Sequence, residues 1–138
     1  MMMNYETVYQ TVRTKLQVLV PDATIRLPNE PPAKSTDTNI DVSVTEIDNN
    51  IFTEEETKRD ISINLLLSVR VSTGTKSIHN IASRIVTAFN PLQGGSFWTG
   101  ETDGRGHFVR ITSAGQRQPN ITDTQYQINV RILATIYT

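Results

Sequence analysis

The chain has 138 residues, no cysteine and a net charge of −1, with 13 basic residues against 14 acidic ones. That length suits one domain able to bury about two-thirds of its unfolded surface, so neither disulfides nor a metal is needed to hold it together. The missing cysteines exclude thiolate nucleophiles and Cys-ligated zinc, the even charge excludes a basic footprint for nucleic acid, and no segment approaches the ~20 apolar residues that span a bilayer.

Residues 4–20 place Tyr5, Val8, Tyr9, Val12, Leu16, Leu19 and Val20 on one stripe, the spacing of an amphipathic helix. Asn4 can cap its start and Pro21 ends it. Residues 27–32 hold three prolines and predict an extended surface connector. Ile40, Val42 and Val44 alternate as a strand over 40–47, and Asp48, Asn49 and Asn50 read as a turn. A polar loop over 52–60 leads into a long strand over 61–71, with Ile61, Ile63, Leu65, Leu67, Val69 and Val71 on one side.

Turn residues 72–75 then open a second helix, whose stripe is Ile78, Ile81, Ala82, Ile85, Val86 and Phe89 and whose stop is Asn90 and Pro91. Residues 93–106 contain five of the seven glycines and predict a loop or irregular hairpin. A short strand over 107–112 and a connection over 115–120 precede the last strand, 124–137, with Tyr126, Ile128, Val130, Ile132, Ala134 and Ile136 on one side. The order predicts an α+β fold in one domain over 1–138: a mainly antiparallel sheet of four strands, or slightly more, with two helices on one face. The N-terminus lacks the basic and apolar regions of a signal peptide, and the expectation is a soluble intracellular protein.

The second face of the two long strands is the more informative one. It reads Ser62, Asn64, Leu66, Ser68 and Arg70 in the first, and Gln127, Asn129, Arg131, Leu133 and Thr135 in the second. A solvated sheet face usually intersperses Lys and Glu. A neutral, hydrogen-bonding face dotted with leucine is what a protein–protein contact looks like, although an ordinary amphipathic sheet with a Ser/Asn-rich outside has the same composition.

Reactive constellations are absent. His79, off the main stripe of the second helix, is expected to be exposed, and neither it nor His107 matches a zinc-ligand spacing, so both are expected in surface or structural roles. No Gly-x-Ser-x-Gly elbow occurs, and the glycine-rich stretches lack the Gly-Lys-Ser/Thr ending of a phosphate loop. Glu54, Glu55 and Glu56, with Asp48 and Asp60 nearby, lack the ligand spacing and turn glycine of a calcium loop and read as a solvated acidic loop. No catalytic, cofactor-binding or metal-binding residue is therefore assigned. Phe97 and Trp98 are adjacent aromatics in the glycine-rich stretch. Phe97 suits the core, while Trp98 suits either an anchor for the loop or an interface.

Taken together, the helix over 5–20, the proline-rich connector, the strand over 40–47, the strand-to-helix run over 61–89 with its Val-Arg-Val-Ser-Thr-Gly-Thr-Lys transition, and the terminal Tyr-Gln-Ile-Asn-Val-Arg-Ile strand resemble the tail terminator (tail completion) proteins of long-tailed, lambda-like bacteriophages. The resemblance covers nearly the whole chain and lies in order, length and texture. It implies a non-enzymatic virion protein at the tail–neck junction, made in the host cytoplasm, that forms a hexameric ring. Such a ring binds the tail tube protein, stops polymerisation, meets the head completion or connector protein, and passes DNA without binding it specifically. It implies no membrane partner and carries over no catalytic residue. On this reading Leu66, Leu133, Asn64, Asn129, Arg131, Phe97 and Trp98 belong to subunit or tube contacts, and Glu54, Glu55 and Glu56 face the lumen or the tube. Another head–tail joining protein, or a small monomeric binding domain, are the other readings the sequence allows.

Overall fold

The computed structural model describes residues 5–30, 38–51, 57–71, 74–89, 97–98 and 108–137, the side chains of 5–7, 47–51, 57–59, 97–98, 108–110 and 136–137 excepted. Its two helices arise where the apolar stripes predict them. Helix α1 is Tyr5–Leu19 and α2 is Lys76–Phe89. Gly74, at φ 91°, makes the turn that leads into α2, a backbone conformation that a side chain would strain. The Thr75 carbonyl then accepts the first helical bond, from His79 N–H at 3.1 Å.

The strands are β1 (Thr24–Arg26), β2 (Asn39–Ile51), β3 (Thr57–Arg70), β4 (Phe97–Trp98), β5 (Phe108–Gln116), β6 (Asn120–Ile121) and β7 (Gln125–Tyr137). They form one sheet in the order β1-β2-β3-β7-β5-β4, with β6 also paired to β7. Among the described residues only the β1–β2 pair is parallel. The fold is α+β with a mostly antiparallel sheet, which has more strands than the four, or slightly more, expected.

Three differences from the sequence reading have simple causes. Residues 48–51 and 57–60 are strand, not turn and loop, because Asp48 to Ile51 pair with Asp60 to Thr57. A ladder of backbone hydrogen bonds outweighs the turn preference of Asp and Asn. The described part of the proline-rich connector, residues 27–30, turns instead of extending: Asn29 stands at φ 66°, Glu30 N–H reaches the Leu27 carbonyl at 3.3 Å, and the Glu30 carboxylate accepts Leu27 N–H at 2.8 Å. His79 is half-buried, because its Nε2 shares a 2.8 Å hydrogen bond with the Tyr126 hydroxyl and the rings meet edge to face.

Alternation sets the core. Ile61, Ile63, Leu65, Leu67 and Val69 of β3 face Ala134, Ile132, Val130, Ile128 and Tyr126 of β7 in register, while Val42 and Ile40 of β2 face Leu65 and Leu67. These rows share one buried cluster with Val8, Val12 and Leu16 of α1 and with Ile78, Ile81, Ala82, Ile85 and Phe89 of α2. Lys15 lies over the Phe89 ring, 4.9 Å from its centroid, and burial of that ammonium pulls its pKa down.

The Leu27–Glu30 turn is also tied to α1. The Arg13 guanidinium donates to Glu30, and this bond, helped by Leu27 N–H, holds the Glu30 carboxyl below its ordinary pKa of 4.5. A carboxyl with a depressed folded pKa stabilises the fold fully above its unfolded value, and the contribution disappears as pH falls through the folded value. Glu30→Gln should therefore lower the melting temperature at pH 7, with the two curves converging as the pH drops below 4.5. Thermal melts across pH 3–7 check this, and a gap that stays constant to the lowest pH would contradict it.

Candidate functional site

Beneath the core rows, on the other side of the sheet, the side chains at the intervening positions form a second set of rows. One runs Asp41–Leu66–Asn129, the next Ser43–Asn64–Arg131–Gly115, and the third Thr45–Ser62–Leu133–Ser113. Leu66, Leu133, Asn64, Asn129 and Arg131, proposed from sequence, thus occupy one face of the two central strands. Leu66 is directly opposite Asn129, and Asn64 is directly opposite Arg131. All five are half-buried.

The two leucines do not touch as one apolar patch. The Asn64–Arg131 row lies between theirs, which separates them by roughly 14 Å at standard strand spacings. Between them runs a hydrogen-bond chain: Arg131 Nε donates to Ser62 Oγ at 3.1 Å, and Ser62 Oγ donates to Asn64 Oδ1 at 3.1 Å. Thr135 Oγ1 donates to Asp60 at 2.8 Å. Ser62, Ser68 and Thr135 on this face are 3–5% exposed.

Two features of this face are unfinished. Among the described residues no carboxylate lies within ion-pair distance of Arg131. The Oδ1 atoms of Asn129 and Asn39 are buried without a hydrogen-bond donor. Buried polar atoms are nearly always paired, so each of these carries a desolvation cost within the fold.

Sequence reading missed a second locality, at the β1 end of the sheet. There Arg26 Nε holds Asp41 at 2.6 Å, and a cleft of about 300 Å³ opens between Arg26, Leu27, Glu30, Asp41 and Val42. No local pattern could have announced it, because the pair forms only when β1 aligns with β2. A shallow concavity on α1 exposes Val18, at 81%. Glu54, Glu55 and Glu56 lie outside the described residues. Phe97 and Trp98 form β4, against Arg110 and Val109, but their side chains lie outside the description, as does His107. Among the described residues no three His, Asp or Glu side chains converge, and no helix is long and apolar enough to cross a membrane.

Solved structures share the architecture. One of them, 14% identical, aligns over 98% of this chain and 96% of its own length with a TM-score of 0.58. At that identity the likeness shows the fold alone. No protein-family model and no curated protein matches the chain.

Proposed function

We propose that this protein is a structural subunit of a phage neck, a tail terminator that assembles as a ring on the end of the tail tube, stops its growth and presents the surface to which the head's connector joins. The helices cover one face of the sheet and leave the other to a partner. The observation that carries the reading is the chemistry of that face, where Arg131 stands without a carboxylate among the described residues, beside two half-buried leucines. A protein surface supplies what these groups lack: acceptors for a guanidinium and apolar cover for the leucines. The resemblance in element order and texture to tail terminators gives that surface its occupant, the ring and the tube. The protein then acts by binding, in the virion at the tail–neck junction, with DNA passing through the ring.

Electron microscopy of growing tail tubes from the same virus tests this. Added protein should sit at one tip and fix tube length within the time of the assay. Tubes that keep lengthening, with bare tips, would refute it.

A further inference from the structure

The sheet has two open edges, and they match. On one side β1 covers β2 only at Asn39 to Asp41, so β2 continues through Val42 to Thr45 with no strand beside it among the described residues. On the other side β4 covers β5 only at Val109 and Arg110, so Ser113 to Gln116 are open in the same sense. Natural proteins blunt such edges with Lys, Pro, inward charges or β-bulges, and the bulges of β2 and β5 fall just outside these two segments, between Glu46 and Asp48 and between Ile111 and Ser113. Neither segment contains any of these, and Ser43, Thr45, Ser113, Gly115 and Gln116 are exposed.

We propose that the β2 edge of one copy pairs antiparallel with the β5 edge of a second copy, joining their sheets head to tail. Strand sense agrees, since β2, β3, β7 and β5 alternate in direction and a neighbour's β5 continues the alternation beside β2.

The backbone groups agree as well. Arg117 N–H donates to the Asn129 carbonyl at 2.8 Å, so by alternation the amides of Gln116 and Ala114 point outward from β5. Val44 N–H points outward from β2, where the Tyr9 hydroxyl accepts it at 3.0 Å in place of a neighbouring strand. Setting Val42 against Gln116 and Val44 against Ala114 pairs outward groups with outward groups. The same register keeps Val42, Val44 and Ala114 on the core side, and brings Ser43 to Gly115 and Thr45 to Ser113 on the other.

Charge agrees too. The β2 sequence holds Asp41, Glu46 and Asp48 and no base, while β5 and the residue after it hold Arg110 and Arg117 and no acid. In this register the ladder ends at Val42 and Gln116, since Arg26 of β1 already lies beside Asp41, and the exposed Arg117 follows at the cleft that Asp41 and Glu30 line. A head-to-tail contact of this kind closes into a ring or runs on as a filament. The contact rests on the edges and not on the tail reading.

The cysteine-free chain makes the test direct. A Thr45→Cys/Ser113→Cys double variant should form a disulfide-linked ladder of chains on oxidation, reversed by reductant. Within one copy the two positions are three strand spacings apart, roughly 14 Å, beyond disulfide reach. Each single variant should give no ladder. In sedimentation, Gln116→Pro and Arg117→Glu should weaken self-association about tenfold or more, the scale of one or two lost charge-assisted or backbone hydrogen bonds. Tyr9→Phe, which frees the Val44 amide, should tighten it. A chain that stays monomeric at all concentrations, or a double variant without a ladder where the wild type associates, would overturn the edge contact. Tube capping by a chain whose edges do not cross-link would overturn the contact and leave the tail reading intact.

Discussion

Ile63→Glu is expected to abolish folding. Ile63 has no solvent exposure and sits on β3 between Val44 of β2 and Ile132 of β7, beneath both helices' shared core. The substitution removes buried apolar surface and places a carboxylate among the apolar side chains of the core. Together these cost more than about 4 kcal/mol even if the carboxyl protonates. A domain of this size has about 5–15 kcal/mol in all, so most of its stability goes. Circular dichroism and urea titration should find an unfolded or insoluble chain. Ser43→Glu, exposed on the other face of the neighbouring strand, should melt within a few degrees of wild type. An Ile63→Glu protein that melted near the wild-type temperature would mean that the alternation in β3 does not point this residue into the core.

That control works because period-two patterning was the clearest signal in the chain. In β3 and β7 both flanking strands are present and no bulge interrupts their shared register, so the sequence alternation maps directly onto two faces. Leu66, Leu133, Asn64, Asn129 and Arg131 were therefore placed on one face from sequence alone. Which residue opposes which depends on register, and register follows from the whole ladder. The Asn64–Arg131 row that divides the leucines became visible only in the fold.

The edges were harder to read for a related reason. β1, β4 and β6 are two or three residues long and carry no period. β2 and β5 each contain a bulge, between Glu46 and Asp48 and between Ile111 and Ser113, which shifts the alternation by one residue partway along. The half-buried setting of His79 depends on Tyr126, 47 positions away, and no local pattern encodes it.

Leu133→Glu is expected to leave folding intact and abolish assembly. Leu133 is half-buried between Ser62 and Ser113, and Arg131 stands two residues before it on the same strand and face. In the free protein a glutamate there remains in contact with water, and the guanidinium beside it is a favourable neighbour. Covered by a partner, the same carboxylate would draw Arg131 away from the partner's acceptors and put a desolvated charge where the leucine made apolar contact, a loss of about 3 kcal/mol, equivalent to roughly a hundredfold in affinity. Leu66 needs a different substitution. It lies directly opposite Asp41, so glutamate would add like-charge repulsion within the monomer, whereas Leu66→Lys meets an acid. Melting temperatures near wild type, combined with failed tube capping for both variants, would place the contact on this face. If Leu133→Glu and Leu66→Lys cap tubes normally while Gln116→Pro does not, the copies meet through their strand edges and the open face turns to solvent or to passing DNA.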